Sequence, residues 1–213
     1  MPTRMAVIPT NGRPCLNECI EAIAPQVDTV FLINTTNKPL ATDHKGTNVH
    51  VVPYPHPELN ISKWWNLGLD MAEAWAFPAE TWDVAVLNDD ALVPAGWFEG
   101  VRSFMRHYDA KAGCSGAVDI VWHEARAVPL DTRMQGFAFM LAGEAQLRAH
   151  PDLAWYFSDD YIDWESRQIG GMAMVKGFPV NHLYPNAQLT PELQIQTAKD
   201  AQTFVDIYGS RPW

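Results

Sequence analysis

The sequence predicts an α/β domain with a mainly parallel sheet and helices on both faces. Three observations carry this expectation. Short apolar runs alternate with amphipathic segments four times over, the runs have strand length while the segments have helical period, and each run ends in a polar, turn-forming stretch. A continuous apolar run marks a strand buried on both sides, as in a parallel sheet covered by helices.

Met5–Ile8 is the first apolar run and stops at Pro9-Thr10-Asn11-Gly12. Over 14–24, Leu16, Cys19, Ile20 and Ile23 fall at helical spacing, with Pro14 suited to a first turn. Thr29–Ile33 reads as a second strand, ending in Asn34-Thr35-Thr36-Asn37, and Val49–Val52 as a third, running into Pro53-Tyr54-Pro55-His56-Pro57. A periodic helix follows, with Trp64, Leu67, Gly68, Met71, Ala72 and Trp75 on one face and Asn60 or Ser62 as its cap. Asp83–Leu87 is a fourth strand ending at Asn88-Asp89-Asp90, and 94–108 reads as a helix through Phe98, Val101, Met105 and Tyr108. Beyond residue 112 the alternation loosens. Strands are expected over 112–118, 137–141 and 172–175, a helix near 161–169 closing at Gly170-Gly171, and a terminal helix from Thr190-Pro191-Glu192 through Ala198, Ala201 and Val205 to Gly209.

Composition bounds the function. Of 213 residues, 47% are hydrophobic and 19% charged, enough to bury a single-domain core. A formal charge of -10, with 25 acidic against 15 basic residues, argues against general nucleic-acid binding, which requires a positive face. No apolar run approaches membrane-spanning length and no basic-then-apolar leader is visible, so a cytoplasmic protein is expected. The sparse, odd cysteine set, Cys15, Cys19 and Cys114, fits a reducing compartment, with Cys15 and Cys19 in the core.

In an open α/β sheet, ligands gather beyond the carboxyl ends of the strands, where the polar tips 9–12, 34–37 and 88–90 would meet. Asn88-Asp89-Asp90 delivers two adjacent carboxylates to that edge. Two anions together are costly unless a cation or water relieves them. The segment therefore reads either as a site for Mg²⁺ or Mn²⁺ or as a solvated loop whose acid caps the next helix. Ser158-Asp159-Asp160-Tyr161-Ile162-Asp163 also allows two readings: a general base at the mouth of a helix, or acids favoured there by the helix dipole, with Asp163 and Arg167 paired four apart. His182 is either a satisfied structural histidine or a ligand. Trp155 and Trp164 flank the acidic segment and are the tryptophans best placed to stack on a bound ligand.

In order and spacing, these segments resemble the family 2 inverting glycosyltransferases, which have the nucleotide-diphospho-sugar transferase fold, GT-A. Ile8-Pro9-Thr10-Asn11-Gly12-Arg13-Pro14 resembles their first strand and donor loop, and Asn66 and Gly68 match the asparagine and glycine of their donor-side helix. Leu87-Asn88-Asp89-Asp90 before Pro94-Ala95-Gly96-Trp97 is similar to their acidic metal motif. Tyr156-Phe157-Ser158-Asp159-Asp160, with Arg167 and Gly170, is similar to their catalytic-base segment.

The resemblance implies a metal-dependent transferase of one domain, with a nucleotide-sugar-binding half over 1–108, an acceptor and catalytic half over 109–188, and a C-terminal helix over 189–213. It implies that Mn²⁺ or Mg²⁺ is held by Asp90, with Asp89 and Asn88 beside it and His182 as a late metal contact. Asp160 becomes the base, with Asp159 as the alternative if the register slips by one. Pro9, Thr10 and Arg13 would line the nucleotide pocket, with Asn34 at the tip of the second strand, and Lys63 and Asn66 would serve the diphosphate. The partners implied are a nucleotide-diphosphate sugar and a protein or glycan acceptor. The chain departs from the family at Asn34–Asn37, where a base-reading acid is common, and at Asn88, where many relatives have aspartate. Its compactness and many tryptophans are similar to transferases encoded by actinobacterial phages, which would place it in a host cytoplasm. A nucleotidyltransferase would want a glycine- and lysine-rich phosphate loop, whereas 9–14 offers Gly12 and Arg13; an inactive sugar- or nucleotide-sugar-binding module is the other alternative.

Overall fold

A computed structural model describes residues 3–42, 48–55, 58–79, 81–184 and 190–213. Its elements are β1 (Thr3–Thr10), α1 (Leu16–Ile23), β2 (Thr29–Asn34), β3 (Val49–Pro53), α2 (Ile61–Ala76), β4 (Trp82–Leu87), β5 (Ala91–Leu92), α3 (Trp97–His107), β6 (Ala112–Gly116), β7 (Ile120–Trp122), β8 (Ala138–Ala142), α4 (Ser158–Ile169), β9 (Met172–Lys176), β10 (Asn181–His182) and α5 (Pro191–Tyr208). Eight strands form one sheet in the order β3-β2-β1-β4-β8-β6-β9-β7. β8 and β7 run against the others. The chain is thus a mixed α/β protein with a mainly parallel central sheet, as expected. Among the described residues, four of the strand-to-strand passages carry an α-helix, whereas those between β2 and β3 form loop.

The two-residue period of a strand sends alternate side chains to opposite faces. Ala6, Ile8, Val30, Leu32, Ala85 and Leu87 pack with α1 and α3 on one face. Met5, Val7, Phe31, Ile33, Val84 and Val86 pack with α2 and Ile162 of α4 on the other. Helix α2 lies so close to β1 that a Cβ on Gly68 would fall 2.1 Å from Val7, so this glycine is required for packing. Asn60 caps α2 by accepting the Lys63 N–H at 2.9 Å. The apolar stripe of α2 differs in phase from the expectation: Trp65 is buried and Trp75 is 52% exposed at the sheet margin, against His50.

Helix α5 has the expected bounds, with Thr190 as cap and Gly209 closing it at φ +76°, but not the expected face. It buries Asp200 and Phe204, while Ala198 is exposed. The aspartate has backbone amides to satisfy it, which a reading of apolar letters cannot anticipate. Among the described residues, no helix is long and apolar enough to cross a membrane.

Candidate active site

The carboxyl ends of β1, β2 and β4 and the residues leading into β8 share one edge of the sheet. Beyond it lies a cleft of about 850 Å³. Pro9, Thr10, Arg13, Asn88, Asp89, Asp90, Asp159 and His182 all line it. It therefore brings together residues from across the chain.

The acidic turn is built from three directions. Thr10 donates its hydroxyl to Asp89 Oδ2 at 2.7 Å, and its oxygen in turn accepts the Gly12 N–H at 2.9 Å. The thiols of Cys15 and Cys19 donate to the carbonyls of Asp89 and Asn88, at 3.3 and 3.4 Å. Burial is the main force raising both thiols, which keeps them protonated as donors. Burial also raises the Asp89 carboxyl, against the hydrogen bond from Thr10 and the charge of Arg13. Arg13 spans the pair, with Nε 3.5 Å from Asp89 and Nη1 bonded to Asp90.

His182 reaches this turn through a two-strand antiparallel sheet in which it pairs with Ala91, while Leu183 N–H donates to the Asp90 carbonyl at 3.0 Å. Its ring stacks on Phe137 at 4.5 Å, and Nε2 stands 3.2 Å from Asp90 Oδ1. That oxygen is buried without a hydrogen-bond partner among the described residues. The geometry fits a divalent cation: ligands about 2.1 Å from an octahedral ion and at right angles lie about 3 Å apart. Among the described residues, no group of three acidic, histidine or cysteine side chains is gathered as a complete metal cage. The remaining positions would fall to phosphate and water, as is usual for Mg²⁺.

The second acidic cluster divides. Asp159 lines the cleft, and it sits so tightly against Gly136 that a Cβ there would meet its Oδ2 at 2.5 Å. Asp160 turns inward, is 3% exposed and pairs with Arg133, whose guanidinium lies 3.9 Å from the Trp213 ring centroid. Asp163 is also inward, held by Arg167 Nε at 2.5 Å, Arg167 Nη2 at 2.9 Å and the Met134 N–H at 2.9 Å. Burial raises Asp159 and Asp160 above the ordinary carboxylate range, with the charge of Asp159 adding to the shift of Asp160. The residue facing the cleft is thus Asp159, and Asp160 belongs to an internal ion pair.

Three further residues lie elsewhere than expected. Asn34 folds back on its own turn, bonding Lys38 O and Thr36, and Thr35 and Thr36 line the cleft in its stead. Asn66 clasps both backbone groups of Ala149 at 2.8 Å. Lys63 has a 42% exposed side chain 4.0 Å from Glu58, outside the cleft lining. A helix presents only part of its circumference to a site, and α2 gives the cleft Ile61, Trp64 and Trp65. Trp155 lines the cleft, whereas Trp164 stacks on Tyr208 beneath α5. Gln135, Gly136 and Phe137 also enter the cleft just before β8; Phe137 had only strand character to mark it, and Gln135 and Gly136 no local pattern.

No protein-family model and no curated protein sequence matches this chain. Solved structures do match. TarS 1–349 of S. aureus is similar with a TM-score of 0.60 at 10% identity, over 97% of this chain and 72% of that one. The same piece in complex with UDP-GlcNAc has a TM-score of 0.58 at 10% identity, over 96% and 67%. A longer TarS structure has 0.57 at 11%, over 82% and 35%. TarS is a glycosyltransferase of GT-A-like fold, and at this level of identity the likeness establishes the same fold for the present chain.

Proposed function

We propose that the protein is a metal-dependent, inverting glycosyltransferase that moves a sugar from a nucleoside-diphosphate donor to an acceptor hydroxyl. The observation that carries this reading is the composition of one cleft: an Asp90 oxygen beside His182 Nε2, with no hydrogen-bond partner among the described residues, on one side, and the Asp159 carboxylate on the other. The UDP-GlcNAc complex of TarS, on the same fold, supports a nucleotide-sugar donor. The order of the four motifs along the chain supports family 2.

In this reading Asp90 and His182 hold Mn²⁺ or Mg²⁺. When bound, the ion supplies Lewis-acid stabilisation of the departing nucleoside diphosphate. Arg13, already poised over the acidic turn, offers its guanidinium to the diphosphate oxygens. Pro9, Thr10, Thr35 and Thr36 form the nucleotide side. Asp159 accepts the proton of the attacking hydroxyl, and its burial strengthens it as a base. A single carboxylate acting on the acceptor accounts for direct displacement with inversion. Trp155 and Tyr156 give the acceptor an aromatic wall.

The test is a thermal-shift series with nucleoside diphosphates and UDP-GlcNAc, each with and without Mn²⁺, followed by NMR of the product anomer. Metal-dependent stabilisation and an inverted product are expected, since a ligand that binds only the folded state raises its melting temperature. Stabilisation without turnover in any acceptor screen would favour a binding module, and equal binding without metal would remove the metal from the scheme.

A further inference from the structure

Leu193 and Asp200 are seven residues apart on α5, two helical turns, and so share one face. Leu193 lines the cleft. Asp200 has no exposed surface and lies against the segment 154–156. Its Oδ2 accepts the N–H groups of Trp155 and Tyr156 at 2.8 Å each. Its Oδ1 accepts the N–H of Ala154 at 3.1 Å and the side-chain amide of Gln196 at 2.7 Å. Three successive backbone amides thus converge on one carboxylate, an arrangement that binds anions. Here the anion is a side chain from 44 to 46 residues further along the chain.

The clamped segment leads directly into the site. Trp155 and Tyr156 are cleft wall, and Phe157 then turns the chain into α4 at φ +65°, left-handed backbone that a non-glycine residue adopts only when its surroundings enforce it. The Phe157 ring packs on Phe204, one turn beyond Asp200, with centroids 6.0 Å apart. Helix α5 therefore grips the chain before and at the turn that delivers Asp159.

We propose that Asp200 is a positioning residue for glycosyl transfer: through the 154–156 amides it holds the acceptor-side wall and the approach of Asp159, which makes α5 part of the active site. This rests on the reading of the cleft given above. Asp200 touches no reacting atom; it acts through the backbone it binds.

The test uses the full chain and the variant Asp200→Asn, which keeps the volume but removes the charge and turns one acceptor into a donor facing N–H groups. Amide hydrogen exchange over 154–161 is expected to speed up by about tenfold or more, the size set by losing charge-assisted hydrogen bonds. Affinity for UDP with Mn²⁺ should stay within about twofold. In hydrolysis of UDP-GlcNAc, with water as acceptor, kcat should fall by about tenfold or more at unchanged KM. Gln196→Ala, which removes one bond to Oδ1, should act in the same direction with a smaller change, and serves if Asp200→Asn does not fold. Wild-type exchange rates over 154–161, or unchanged kcat in an active background, would overturn the proposal alone. A wild-type protein that neither binds UDP with Mn²⁺ nor hydrolyses UDP-GlcNAc would overturn the reading of the cleft, and this inference with it.

Discussion

The two acidic clusters, Asn88-Asp89-Asp90 and Asp159-Asp160-Asp163, look alike in sequence and behave differently in the fold. The first sits on a turn after β4, where consecutive residues face a common edge, and Asp89 and Asp90 both line the cleft. The second sits on a helix, where each residue advances by about 100°. Asp159 therefore faces the cleft, while Asp160 and Asp163 point inward to Arg133 and Arg167. Adjacent acids on the turn share the cleft; adjacent acids on the helix are divided between the cleft and the interior.

The widest separation is expected within the second cluster. Asp163→Ala leaves the 3% exposed Arg167 without its carboxylate, and breaking a buried pair costs about 3–5 kcal/mol. Denaturant unfolding should report that loss, and a change below about 1 kcal/mol would mean that Asp163 is not the anchor described. Asp159→Asn should do the reverse: near-native stability and donor affinity, with transfer reduced by about 10²-fold or more. Because burial raises the Asp159 carboxyl, wild-type transfer should decline on acidification through a limb lying above the ordinary carboxylate range. That limb should vanish in Asp159→Asn. Full activity in this variant would return the base to Asp160.

The first cluster is tested through ligands. Asp90→Ala should make binding of a nucleoside diphosphate insensitive to Mn²⁺ and to chelator, in calorimetry on the folded protein. Persisting metal dependence would place the ion elsewhere. The smallest contrast lies between two cations. Arg13→Ala should weaken donor binding by about 1.5–3 kcal/mol, the range for hydrogen bonds to charged groups. Lys63→Ala, outside the cleft lining, should change it by less than about 0.5 kcal/mol. Equal losses would show that the helix bearing Lys63 approaches the donor more closely than the free cleft indicates.

Much of the fold was legible because it is local. The apolar runs that became β1, β2 and β4 are continuous, so neighbouring residues report each other's burial, and Thr190 and Gly209 bound α5 by capping chemistry alone. The two-residue strands β5 and β10 left no such trace, since so short a run has no period to detect. The three-residue β7 was missed for the same reason.

By itself, the sequence determined that strands and helices alternate, that polar tips gather at one sheet edge, and that Asp89 and Asp90 stand at that edge. These follow from hydrophobic periodicity and turn chemistry, which act over a few residues. Only the tertiary structure decided that His182 meets Asp90, that Asp159 rather than Asp160 faces the cleft, and that Asp200 is buried beneath Trp155 and Tyr156. Each of those outcomes depends on how one element is rotated and docked against another distant in the chain. That choice is made by packing and by the partners available to buried polar groups, and no stretch of neighbouring residues encodes it.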